Sequence, residues 1–197
     1  MFTGIIEDLG EIVGIEKENN NIHFSVKSRL THELKIDQSV AHNGVCLTVI
    51  DITKNIYKVT AIKETLAKTN LGDLKVGSFI NLERAMAANG RFDGHVVQGH
   101  VDQTGICQSL EDENGSWMFT ITHEAKEHIT VEKGSITING VSLTVVNSTD
   151  NQFSVCIIPY TFEHTSFKTL KPGDTVNLEF DIIGKYVEKL LVYKLNN

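Results

Sequence analysis

The chain has 197 residues, 41% of them apolar and only two of them proline, with 18 basic against 25 acidic side chains, a net charge of −7 and a pI near 5.6. That balance argues against a nucleic acid or a membrane surface as partner, no apolar run approaches the roughly 20 residues of a membrane helix, and the start of the chain lacks the basic-then-apolar order of a signal peptide, so the expected place is the cytoplasm. Three cysteines, Cys46, Cys107 and Cys156, are an odd number without CxxC spacing and predict neither a disulfide framework nor a zinc site.

In chain order, residues 2–16 alternate loosely around Gly4, Gly10 and Gly14, as in a strand that bends or bulges, and 22–26 alternate more cleanly. Two β-rich runs between 39 and 52 flank Asn43-Gly44, a dipeptide in which both residues tolerate positive φ, so this stretch is a hairpin. A strand at 56–62, a helical turn at 64–68, a turn at 74–77 and a strand at 79–84 complete a first unit, and 85–93 has no strand pattern and reads as a linker. The second unit predicts strands near 96–108, 116–122, 134–138, 141–148, 153–158 and 174–181, with helical turns near 124–129 and 161–165. Short strands without crossover helices favour antiparallel barrels or sandwiches. From 183 to 195, Ile183, Val187, Leu190 and Leu191 share one helical face. A helix this short is marginal alone in water, so that face must be buried, against the chain's own barrels or against the same helix of other subunits.

The two units are one unit written twice. Asn43-Gly44-Val45-Cys46-Leu47-Thr48-Val49 returns as Asn139-Gly140-Val141-Ser142-Leu143-Thr144-Val145, at a spacing of 139 − 43 = 96. The same offset pairs Ser39 with Ser135, Thr65 with Thr161, Asn81 with Asn177 and Glu83 with Glu179. An offset of 95 pairs Gly4 with Gly99 and Gly10 with Gly105.

Cys46 is the one residue that differs between the two phrases. It reads either as a small buried hydrophobe or as a polar contact to a ligand, since Ser142 replaces it. His95 and His100 are five apart, an odd spacing that puts them on opposite faces of a strand and makes them a poor metal chelate. Each follows a glycine, and each reads as an acid-base group or as a surface or structural histidine. His42 faces Ile138 in the repeat, which speaks against a catalytic role. Asp181 stands where the first unit has Ala85, an asymmetry that an asymmetric function requires.

Five motifs together, Met1-Phe2-Thr3-Gly4-Ile5-Ile6, 41–49, 94–102, 138–145 and 177–181, resemble the riboflavin synthase family of the trimeric α-chain type over nearly the whole chain. The resemblance implies an all-β fold: two tandem six-stranded antiparallel Greek-key barrels related by internal duplication, at 1–86 and 94–182, plus a C-terminal amphipathic trimerisation helix at 183–197. It implies an enzyme in which two molecules of 6,7-dimethyl-8-ribityllumazine exchange a four-carbon unit, giving riboflavin and 5-amino-6-(D-ribitylamino)uracil, with no cofactor and no metal. Two identical substrates need two similar pockets held face to face. Carried over by motif, Ser39, Cys46, His100 and Asp181 are catalytic, and Phe2, Thr3, Gly4, Thr48, Thr65, Gly99, Ser142, Thr144 and Thr161 bind substrate. The resemblance further implies a homotrimer whose site lies between the first barrel of one subunit and the second of another, and admits association with lumazine synthase. Some members carry two adjacent cysteines where this chain has Val45-Cys46. The alternative on the same fold is a non-catalytic antenna protein that holds one lumazine or flavin, and a flavin-dependent reductase would want a nucleotide domain and a phosphate-binding glycine loop that the chain lacks.

Overall fold

Residues 1–125 and 128–195 are described in the computed structural model of the chain. Strands β1 (Asp8–Glu18), β2 (Asn21–Lys27), β3 (Ser39–His42), β4 (Val45–Thr53), β5 (Ile56–Ala61) and β6 (Phe79–Arg84) close a barrel in the order β1-β2-β5-β4-β3-β6. Strands β7 (Gln103–Asp112), β8 (Trp117–His123), β9 (Ser135–Ile138), β10 (Val141–Val146), β11 (Gln152–Ile157) and β12 (Thr175–Phe180) close a second barrel with the same topology. All pairs are antiparallel, and β2 lies beside β5 because the β3–β4 hairpin is folded in between, a Greek-key crossover. Closure leaves neither sheet an edge along its full length.

Alternation explains each wall. In β5, Tyr57, Val59 and Ala61 are fully buried while Ile56, Lys58 and Thr60 between them are only partly covered. The first interior is filled by side chains such as Ile12, Phe24, Val26, Val49, Tyr57 and Leu82 and the second by Phe119, Ile121, Ile136, Phe153, Val155 and Leu178, as small closed barrels require.

The two barrels meet at the repeated phrase. Asn43 and Gly44 have φ of 46° and 81°, as do Asn139 and Gly140, so both hairpins turn through two left-handed residues. The turns stack back to back: a Cβ on Gly44 would come within 2.8 Å of the Gly140 nitrogen, and one on Gly140 within 2.7 Å of the Gly44 nitrogen. Around them Asn81 Nδ2 donates to the Asn139 carbonyl at 2.8 Å and Asn177 Nδ2 to the Asn43 carbonyl at 2.9 Å. Each of these buried amides is partnered across the junction, which is where such groups are worth most.

Two strands start later than the sequence predicts, at Asp8 and Gln103, because the segments ahead of them leave the sheet. Gly4 and Gly99, each at φ 79°, turn these leaders away from the strand direction. The bend expected within the first strand is a register shift between Ile12 and Gly14. The helical turn expected near 124–129 includes 126 and 127, which lie outside the described residues; 124–125 and 128–129 are not helical. Helices α1 (Lys63–Lys68) and α2 (Pro159–His164) follow β5 and β11 at matching positions.

The last helix, α3 (Ile182–Leu195), is capped by Asp181, whose Oδ1 accepts from the Ile183 N–H at 2.9 Å. Its polar side faces the second barrel, with Lys185 Nζ 2.6 Å from Asp102 and Glu188 3.4 Å from His128. Ile183, Val187, Leu190 and Leu191 stay more than half exposed, so the apolar face does not dock on the chain's own barrels.

Candidate active site

The outer wall of the first barrel is built from the strands whose inner residues fill the core. Val45, Leu47 and Val49 point inward, so Cys46 and Thr48 point outward, and the register sets Thr48 opposite Ser39 and Cys46 opposite Ala41. The second barrel repeats this wall with Thr144 opposite Ser135 and Ser142 opposite Thr137. Thr65 and Thr161 lie half-buried on α1 and α2.

β4 pairs with β5 only from Val49 onward, and β10 with β11 only at Val145 and Val146. The edge of each phrase is therefore free, and the leader of the other half fills it. Cys46 N–H donates to the Gly99 carbonyl at 2.9 Å, and Ser142 N–H to the Gly4 carbonyl at 2.8 Å. The approach leaves no room for a side chain: a Cβ on Gly99 would lie 2.7 Å from Cys46 Cβ, and one on Gly4 2.5 Å from Ser142 Cβ. The leaders also pair with each other, Phe2 N–H to Val97 O at 2.7 Å and Val97 N–H to Phe2 O at 3.1 Å.

Two buried glutamates hold the leaders. Glu83 accepts from Thr3 N–H (2.6 Å), Thr3 Oγ1 (2.9 Å) and Gly4 N–H (2.9 Å), and Glu179 from Gln98 N–H (2.6 Å) and His100 N–H (2.8 Å). Burial raises both carboxyl groups above the ordinary glutamate value while these N–H bonds pull them back down.

The structure thus joins Ser39, Cys46 and Thr48 on one wall and brings Gly99, with His100 next to it, onto Cys46. The His100 side chain is exposed. A cleft of about 580 Å³ beside this wall is lined by Ser39 and Thr3 together with Ile5, Glu83, Arg84 and Met86, while Cys46, Thr48 and His100 lie outside it. Phe2 is fully buried with Ala41 and Val97, beneath the wall. Asp181 lies on the other barrel, beyond β12.

One residue weighed in the sequence but not assigned to the site belongs to the second wall. His95 Nδ1 is 2.7 Å from Ser142 Oγ, and its Nε2 is 3.2 Å from Thr137 Oγ1. Burial lowers its pKa, and the charge of Asp181 opposes that shift. Its sequence signal was weak, since a histidine after Gly94 gains meaning only when it is seen beside Ser142, where the leader carrying Gly4 crosses. Glu83 and Glu179 were visible in the sequence only as a matching pair. Among the described residues no three His, Cys, Asp or Glu side chains gather as a metal site.

A family model described as the lumazine binding domain matches residues 3–85 and 98–181, one match for each barrel. Riboflavin synthase of Actinobacillus pleuropneumoniae is 45% identical over 98% of this chain and 91% of that one. Those of Bacillus subtilis and Mycobacterium bovis are 42% and 41% identical, each over 97% of this chain. The chain belongs to the riboflavin synthase family. Among solved structures, LumP complexed with 6,7-dimethyl-8-(1'-D-ribityl) lumazine has the same fold, with a TM-score of 0.84 at 21% identity over 91% of this chain and 99% of that one.

Proposed function

We propose that the chain is a riboflavin synthase, a transferase that dismutates two molecules of 6,7-dimethyl-8-ribityllumazine. A four-carbon unit leaves one molecule and joins the other, so that riboflavin and 5-amino-6-(D-ribitylamino)uracil form together and no external oxidant is needed. The observation that carries this reading is the 45% identity to a riboflavin synthase across both barrels. The likeness to LumP, at 21% identity, speaks for the fold alone and does not favour an antenna.

In this reading the domains are 1–86, 94–182 and 183–197, and each barrel wall receives one substrate. Ser39, Cys46, Thr48, Thr65 and the leader residue Gly99 serve the first wall, with His100 beside it for proton transfer. Ser142, Thr144, Thr161 and Gly4 serve the second, with Asp181; Phe2 and Thr3 support the leader that joins them. Cys46 and Asp181 sit on different barrels, and in this reading the complete site forms where the first barrel of one subunit faces the second barrel of another. A homotrimer held by the exposed apolar face of α3 supplies that geometry and buries Ile183, Val187, Leu190 and Leu191. The cytoplasm is the place assigned, no helix among the described residues being long and apolar enough to cross a membrane, and lumazine synthase is a partner to be tested by co-sedimentation.

The experiment is to incubate the purified full-length protein with the lumazine alone. Riboflavin and the pyrimidinedione are expected in equal amounts. Ligand that binds but is recovered unchanged would overturn the enzyme reading in favour of the antenna.

A further inference from the structure

Each barrel wall is completed by a segment that a residue of the opposite barrel holds. Glu179, on β12 of the second barrel, accepts the N–H groups of Gln98 and His100, and the Gly99 carbonyl between them takes the Cys46 N–H of the first barrel. Glu83, on β6 of the first barrel, accepts those of Thr3 and Gly4, and the Gly4 carbonyl takes the Ser142 N–H of the second barrel. The leaders lie outside both sheets, so these N–H groups, buried at Thr3 and Gly4 and part-buried at Gln98 and His100, have no strand to pair with and are satisfied by the carboxylates. Both glutamates are nearly inaccessible, at 5% and 3% exposure, and bonds to a carboxylate in such surroundings are about twice as strong as neutral ones.

We infer that Glu179 and Glu83 are positioning residues acting crosswise, Glu179 for the Cys46 and His100 wall of the first barrel and Glu83 for the Ser142 wall of the second. This rests on the proposed reaction for its functional part and on the hydrogen bonds alone for its crossed part. Glu179 fixes the backbone of His100, the group assigned to proton transfer, as well as the carbonyl that pins Cys46. Glu83 fixes Gly4 against Ser142, the residue that His95 touches at 2.7 Å. Both oxygens of each carboxylate accept N–H groups of a leader, so each acts through the leader it holds.

The test is amide hydrogen exchange of the full-length protein, read in peptides covering 43–49 and 139–145. Alongside it, alkylation of Cys46 is timed in a Cys156→Ser background, since Cys156 is exposed and Cys107 buried. Glu179→Gln is expected to speed exchange at Cys46 by about ten-fold, the equivalent of about 1.4 kcal/mol, to change its alkylation rate, and to leave Ser142 unmoved. Glu83→Gln is expected to do the reverse. In turnover, Glu179→Gln is expected to lower kcat by about ten-fold, about 1.4 kcal/mol of barrel-wall positioning, with KM nearly unchanged.

Equal loosening at both phrases, or an effect confined to the substituted barrel, overturns the crossed coupling. Crossed exchange with kcat at the wild-type level overturns the positioning role. Should either glutamine variant fail to fold, Thr3→Val removes only the hydroxyl bond to Glu83, and it must loosen Ser142 and not Cys46. Exchange and alkylation are read without substrate, so a wild-type protein that forms no riboflavin would sink the reaction and not the coupling.

Discussion

His42 gives a measurable pH signature to the first barrel. The ring is 1% exposed, its Nδ1 donates to the Val40 carbonyl at 3.0 Å, and its Nε2 accepts from the Tyr57 hydroxyl at 2.8 Å, so one neutral tautomer satisfies every polar atom. Burial lowers its pKa to about 4, against the opposing pull of the Val40 and Val45 backbone. The folded pKa lies below the unfolded value of 6.5, so the stability this histidine contributes is complete above pH 6.5 and is lost as pH falls toward 4, while the unfolded chain takes up a proton that the barrel refuses. Between pH 7.5 and 5 the loss is about 2 kcal/mol, and its limit in stronger acid is about 3.4 kcal/mol. The repeat supplies the perturbation, because the second barrel has Ile138 and Phe153 at the equivalent positions, both fully buried. His42→Ile with Tyr57→Phe removes the titrating ring and leaves no orphaned hydroxyl. Urea unfolding of both proteins at one concentration, at pH 7.5 and pH 5, should show the gap between them shifting by about 2 kcal/mol in favour of the double variant at the lower pH. Glu83 and Glu179 titrate with the opposite sign, their folded values being raised, but they are common to both proteins and cancel. Parallel pH dependences in the two proteins would refute the argument.

Two further outcomes are expected. Gly77 has φ 90° with nothing within 4 Å of an added Cβ, whereas Gly99 has φ 79° with Cys46 Cβ 2.7 Å away, so Gly77→Ala should cost only backbone strain, about 1 kcal/mol, and Gly99→Ala about 1–3 kcal/mol more for the overpacking. Equal costs by urea unfolding would mean that the leader yields freely. Val187→Glu with Leu190→Glu, placed on the exposed face of α3, should leave the circular dichroism of the barrels intact and convert the proposed trimer to monomer in sedimentation. A double variant that sediments as a trimer would put the assembly interface elsewhere.

Most of the fold was legible because the sequence states it twice. Strand periodicity and two Asn-Gly turns located β3, β4, β9 and β10, and β6 falls on the expected residues. The leaders were not legible, since 2–7 and 96–102 alternate well enough to pass for strand and only long-range contacts show that they leave the sheet. Ser39, Cys46 and Thr48 share a wall because strand alternation dictates it. His95 escaped assignment because its partners, Ser142 and Thr137, are 47 and 42 residues away and belong to a barrel whose wall is open only where a leader crosses it. In the same way the pairing of Glu83 with Glu179 marked a register in the sequence, but a carboxylate that binds backbone N–H groups carries no pattern of its own.

The distribution of identity between the halves follows from where each residue lies. At the junction the two turns and their flanking asparagines are the same in both units, Asn43 and Asn139, Gly44 and Gly140, Asn81 and Asn177, although Asn70 and Ser166, which are equivalent at the offset of 96, differ. There each residue packs against the counterpart turn, so a change on one side must be met on the other. Asn81, for example, donates to Asn139 and accepts from Ser166 N–H at 2.7 Å, while Asn177 donates to Asn43 and accepts from Asn70 N–H at 2.7 Å. On the walls no such reciprocity operates. Cys46 faces Ser142, Ile5 faces His100 and Ala85 faces Asp181 in the alignment of the two units. Each wall takes its backbone hydrogen bond from the one leader that crosses to it, so one can change its side-chain chemistry with little disturbance to the other. A reaction between two identical molecules asks for two such walls, alike enough to hold the same ring and different enough that one molecule gives up carbon and the other receives it. Duplication provides the likeness, and confinement of the shared contacts to the junction leaves the walls free to diverge.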